Sequence, residues 1–145
     1  MLEAALPFIA RVYGETAIDL RTKEIAILRV SAVSGCRYCV DTHTVAAWDA
    51  GLTVGETTAL CGAPAGLAPR EAALVAWCDA LCAAPDRVPD AVAERVGEQF
   101  EEHELVELTL VAGATLMLNR FCTALELPTS PATLARLESA GVATR

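Results

Sequence analysis

An all-α fold is what this sequence predicts, and three observations carry the prediction. Apolar residues seldom alternate with polar ones over the length of a strand, and aromatics, which strands favour, are only 5% of the chain. Hydrophobic residues make up 54% and fall in blocks of helical length. Glycine, proline and capping residues stand largely between those blocks.

Taken in order, the blocks give eight helices. The first covers residues 2–13 and stops at Gly14. Asp19 is a side chain suited to capping the second, which runs to about Val33 and ends at Ser34-Gly35. A third starts at Cys36 and stops at Gly51, a C-cap glycine. Residues 55–61 make a short fourth helix, closed by Gly62-Ala63-Pro64. Pro69 opens a fifth, to about Ala83, with proline in the first turn where its missing N–H costs nothing. Pro89 opens a sixth, to Phe100. Residues 102–125 form the longest, stopped before Pro128, and residues 131–140 form the last. The loops are short, as in a bundle of antiparallel neighbours, and no internal repeat interrupts the series.

At 145 residues and 15.2 kDa the chain is long enough for one domain with a real core and too short for two. Its mean hydropathy of +0.40 is high for that size. A small globule has little interior for so much apolar side chain, so a homo-oligomer is expected, with the apolar stretch 105–121 as central helix or interface. The net charge of −8 argues against nucleic acid, which needs clustered cations. The longest uncharged apolar stretch, residues 108–118, is well short of the ~20 residues a spanning helix needs, so no membrane partner is expected. The first seven residues have no basic segment and do not read as a signal peptide. A cytoplasmic protein is the simplest expectation, and there six cysteines are no structural disulfide framework.

Only one pair of cysteines has a spacing that calls for chemistry: Gly35-Cys36-Arg37-Tyr38-Cys39-Val40-Asp41-Thr42-His43. On a helix starting near Cys36, residues Cys36, Cys39, His43 and Ala47 fall within an arc of about 80°. Two thiols so placed can close a disulfide, and both lie in the first turn, where unpaired N–H groups favour thiolate. His43, one turn on, can accept a thiol proton. On the preceding helix Glu24 shares a face with Leu20, Ile27, Leu28 and Ser31, while Arg29 points away. That helix is apolar nearly all round, so a carboxylate on it needs a partner. A turn at Ser34-Gly35 brings Glu24 within reach of His43, where it can hold the imidazole tautomer.

Other readings of the same residues stand beside this one. Cys36, Cys39, His43 and Glu24 are four conceivable zinc ligands, which would make the motif a metal or redox sensor, though three ligands on one helical face are poor tetrahedral geometry. Glu24 can instead belong to a buried salt bridge with Arg21 or Arg29 of another subunit. Cys78 and Cys82 lie one turn apart in an Ala-rich apolar helix with no histidine near, and read as core, as do the isolated Cys61 and Cys122. Trp48 and Trp77 read as core or interface anchors, and His103 as a solvated helix start.

The set Glu24…Cys36-x-x-Cys39-x-x-x-His43, with 21–30 (Arg-Thr-Lys-Glu-Ile-Ala-Ile-Leu-Arg-Val) before it, 50–53 (Ala-Gly-Leu-Thr) after it and Asn119-Arg120-Phe121 in the late helix, resembles the AhpD-like alkylhydroperoxidase branch of the carboxymuconolactone decarboxylase family. The resemblance covers about residues 20–127. It implies an all-α, AhpD-like multihelical bundle assembled as a trimer or hexamer, with no cofactor and no resident metal. It also implies a peroxide substrate and a dithiol or redox-protein reductant. In that scheme Cys39 is the peroxidatic cysteine, Cys36 resolves it as a disulfide, and Glu24 and His43 relay the proton. Some members carry a histidine immediately before the second cysteine; here that position is Tyr38. The decarboxylase branch lacks the cysteine pair, which argues against a decarboxylase-like enzyme.

Overall fold

The computed structural model describes residues 1–83 and 86–143. Every regular element among them is helical: α1 Leu2–Tyr13, α2 Leu20–Ser34, α3 Arg37–Asp49, α4 Val54–Cys61, α5 Pro69–Ala83, α6 Asp90–Gly97, α7 Glu102–Ala124 and α8 Pro131–Ser139. The caps explain most of these boundaries. Asp19 accepts a hydrogen bond from the Thr22 N–H at 2.8 Å, which satisfies one of the orphan donors of α2. Gly35 ends α2 in the left-handed region, at φ +69°, where a side chain would be strained. α4 begins at a reciprocal capping box between Thr53 and Glu56. Two boundaries differ from expectation. Cys36 caps α3 rather than belonging to it, and α6 stops at Gly97 because the next residues turn Phe100 into the core.

α2 is the hub, packed against α3, α4, α5 and α7. Ile25, Ala26, Ile27, Leu28 and Val30 are all essentially inaccessible, as a helix apolar on most of its circumference requires. α6 leans on α5, α1 on α7, and α8 covers α3. The indoles stand at the edge of this core and each finds a hydroxyl: Trp48 donates to Thr57 at 3.0 Å and Trp77 to Thr109 at 3.2 Å.

The most demanding buried group is Lys23, 1% exposed. Its ammonium pairs with Glu107 at 2.7 Å and donates to the Val12 and Gly14 carbonyls at 3.0 and 2.7 Å. Those three acceptors answer the three donors of a lysine, so the charge is compensated where water cannot reach. The contact ties the end of α1 to both α2 and α7.

α7 meets the length and composition of a membrane-crossing helix, with a mean hydropathy of 1.4 over its most apolar window, although the unbroken uncharged stretch is short. Its inner face packs on α1, α2, α3, α5 and α6. Its outer face leaves Val106, Leu110, Met117 and Phe121, and Leu125 at its C-cap, about half exposed, a stripe at four- and seven-residue steps.

Candidate active site

α2 and α3 meet at the tight Gly35 turn, and their packed faces carry the four residues singled out by sequence. The structure joins them in two pairs, one turn of α3 apart. Cys36 and Cys39 are buried, and their sulfurs lie 2.6 Å apart. His43, one turn further along α3, has its Nδ1 2.9 Å from Glu24 Oε2. A carboxylate only accepts, so Nδ1 carries the hydrogen and Nε2 is the nitrogen left to receive a proton.

Within one chain Glu24 makes no ion pair with Arg21 or Arg29. Arg21 is occupied by Glu56 and Glu71, and Arg29 points away, as its helical position requires, to a bidentate contact with Asp79 and to the Leu60 and Gly62 carbonyls. Each arginine has its own partners, and Glu24 is left to the imidazole.

The sequence reading missed two members of the site. Tyr13, at the end of α1, lays its ring 5.8 Å from that of His43 at a tilt of 58°, while its hydroxyl bonds Thr115 at 3.1 Å. Burial pushes this phenol up to about 12, against the opposing effect of the Thr115 bond, so it stays neutral while walling the imidazole. The second is Cys122. Far from being isolated, it is buried against Cys36 and Cys39, with Tyr38 and Leu127 over the cluster. A signal was present: Thr115, Asn119 and Cys122 recur at i, i+4 and i+7 in an otherwise apolar helix, and all three are buried. Asn119 accepts from the Ser31 hydroxyl at 3.2 Å, and its buried Nδ2 has no partner among the described residues. This polar strip of α7 meets Tyr13 through Thr115, α2 through Asn119 and the thiols through Cys122.

The electrostatics depart from the helix-terminus argument. Cys39 is the third residue of α3, but its thiol is pushed well above its ordinary value of 9.0, chiefly by burial and then by the Cys36 and Cys122 thiols. Burial also raises Cys122. Desolvation outweighs the helix dipole, because a thiolate here would lose its water and face two other sulfurs.

The remaining cysteines divide. Cys78 is fully buried in the core and Cys82 packs against it, as expected. Cys61 is not core: it ends α4 and is exposed. It lines a surface cavity of about 620 Å³ together with Arg37, Val40, Asp41 and Thr44 of α3. Neither the paired thiols nor His43 borders that cavity, which lies on a neighbouring face of α3. Among the described residues, no three His, Cys, Asp or Glu side chains are disposed to hold a metal ion.

Comparison with known proteins agrees with this architecture. The family model described as carboxymuconolactone decarboxylase family matches residues 1–80. The uncharacterized protein YdfG of Bacillus subtilis is 30% identical over 117 residues, 77% of this chain and 78% of that protein. Among solved structures, an Agrobacterium tumefaciens protein of unknown function, given as a candidate antioxidant defence protein AhpD, superimposes with a TM-score of 0.83 at 23% identity, covering 89% of this chain and 90% of that one. An uncharacterized peroxidase-related protein from Silicibacter sp. TM1040 gives 0.84 at 19% identity, over 91% and 71% of the two chains. The debrominase Bmp8 gives 0.72 at 18%, over 86% and 68%. At these identities the structural likenesses speak for the fold.

Proposed function

Because the chain belongs to the carboxymuconolactone decarboxylase family, we propose that it is one of the cysteine-dependent members, a thiol peroxidase that reduces hydroperoxides at Cys39 and regenerates through a Cys36–Cys39 disulfide. One observation carries the reading: two adjacent buried sulfurs open the helix that, one turn on, carries a half-buried imidazole held at 2.9 Å by a carboxylate. A decarboxylase has no use for adjacent thiols. The peroxidase-related and antioxidant names of two proteins of the same fold favour the same chemistry.

The raised Cys39 thiol decides the form of the mechanism. A stored thiolate is disfavoured, so the proton must leave as the peroxide is attacked. His43 Nε2 takes it, while Glu24 holds the imidazole tautomer and balances the charge that forms on it. The Cys39 sulfur then attacks one peroxide oxygen and the O–O bond breaks. The departing oxygen takes up a proton and leaves as water or an alcohol, and Cys39 becomes a sulfenic acid. The Cys36 sulfur displaces the hydroxyl from Cys39, which leaves as water, and the disulfide closes. An external dithiol, small or protein-borne, returns both thiols by exchange. Tyr38 supplies no second relay base, which leaves proton transfer to the His43–Glu24 pair.

The assembly belongs to the same proposal. Residues 1–145 act as one domain, and the exposed stripe of α7 packs against another copy in a symmetric trimer or hexamer. The site requires free thiols and a dithiol supply, which a cytoplasmic location provides. Peroxide consumption with dithiothreitol as reductant tests the activity. Cys39→Ser should abolish it, and a Cys39→Ser protein that still consumes peroxide at the wild-type rate would remove Cys39 from the reaction.

A further inference from the structure

The reaction just described uses two of the three sulfurs in the cluster. Cys122 reaches it from α7, more than eighty residues along the chain, and is buried with the other two at 8% exposure against 1% for Cys36 and 5% for Cys39. It packs in one cluster with both of them, beneath Tyr38 and Leu127. A third thiol packed in one cluster with a sulfur that becomes oxidised is placed to exchange with it.

We propose that Cys122 is a third redox-active thiol of this site, an alternative disulfide partner for Cys39. Two routes lead to the same bond. In the first, the Cys122 sulfur displaces hydroxyl from the Cys39 sulfenic acid, forming the Cys39–Cys122 disulfide and releasing water. In the second, Cys122 loses its proton and attacks the Cys39 sulfur of a Cys36–Cys39 disulfide. The new S–S bond forms as the old one breaks, and Cys36 leaves as a thiolate that takes up the proton. No electrons are gained or lost overall in that exchange. Its result is to move the disulfide from the most enclosed sulfur, on the α2–α3 turn, to the least enclosed one, where an external dithiol meets it first. It also links α3 to α7, so oxidation is felt by the helix that carries the exposed apolar stripe.

The proposal builds on the peroxidase reading, and the test separates the two. The full-length Cys36→Ser protein is oxidised in parallel with one equivalent of hydrogen peroxide and with diamide. Diamide takes two electrons and two protons from a pair of thiols without any peroxide chemistry. Free thiols are counted and disulfides mapped by peptide mass. The expected result in both arms is a Cys39–Cys122 disulfide, with the five thiols left in that variant falling to three. Formation with diamide alone would uphold the pairing while removing the peroxidase reading. Cys39 trapped as a sulfenic acid beside a free Cys122 would overturn the pairing while upholding the peroxidase. No Cys39–Cys122 bond in either arm overturns it as well. Cys36→Ala serves in the same way should the serine variant not fold.

Discussion

Replacing His43 with glutamine probes the relay most sharply, and the structure sets the size of the effect. An ordinary cysteine is only a few per cent thiolate at neutral pH. Cys39 lies below even that, because burial and two neighbouring thiols push its proton affinity up. Attack without a base must wait for that rare thiolate, whereas a positioned base typically contributes about 10²–10⁴-fold. His43→Gln should therefore slow Cys39 oxidation by about 100-fold or more. Glu24→Gln should cost less, about tenfold, since its amide oxygen can still accept from Nδ1 but brings no charge. Glu24 acts through His43, so the double variant should be no slower than His43→Gln alone. Stopped-flow oxidation by hydrogen peroxide across a pH series is the assay. The His43→Gln rate should climb about tenfold per pH unit, following the thiolate fraction, while the wild-type profile is flatter. Equal rates and slopes in the two proteins would refute the relay, and so would fully additive losses in the double variant.

Further predictions rest on other parts of the molecule. A charge on the outer face of α7, as in Leu110→Lys or Met117→Lys, should lower the mass seen by light scattering without loss of helical circular dichroism; a monomeric wild-type protein would contradict the interface. Lys23→Ala leaves a partly buried carboxylate and two carbonyls without their cation, and should lower stability in urea by about 3 kcal/mol. Folded Cys39, Cys78, Cys122 and Tyr13 all hold their protons more tightly than ordinary groups. Their protonated forms thus contribute stability that is complete below about pH 9 and lost as pH rises beyond it. The urea midpoint should accordingly fall from about pH 9 upward, and a midpoint that is flat or rising there would contradict the buried thiols.

The fold and the core of the site were legible because both are local. Helical periodicity, the Asp19 cap and the Gly35 turn act over a few residues, and the Cys36–Cys39–His43 spacing needs only one helix. Glu24 was within reach of sequence reasoning because a single short turn joins its helix to that one. What sequence reasoning missed depends on tertiary register. Cys122 and Tyr13 arrive from other helices: the Thr115–Asn119–Cys122 spacing marks a buried polar strip of α7 without saying what it packs against, and no local pattern distinguishes Tyr13 from a helix-end aromatic. Cys61 was misplaced for the same reason, since an apolar helix end can face the core or the solvent. Proximity to the helix terminus suggested a stabilised Cys39 thiolate, but how far three sulfurs would be desolvated is a property of packing. Lys23 is similar: its burial follows from Glu107 on α7 and the carbonyls ending α1.

The central claim is that Cys39 is oxidised by peroxide and resolved within the same chain. Counting thiols in the wild-type protein before and after one equivalent of hydrogen peroxide, with mapping of the disulfide formed, tests it most directly. The account predicts that six free thiols become four, that the peroxide is consumed, and that Cys39 is in the disulfide with Cys36 as its principal partner. Six thiols remaining beside unconsumed peroxide, or a disulfide that excludes Cys39, would contradict it.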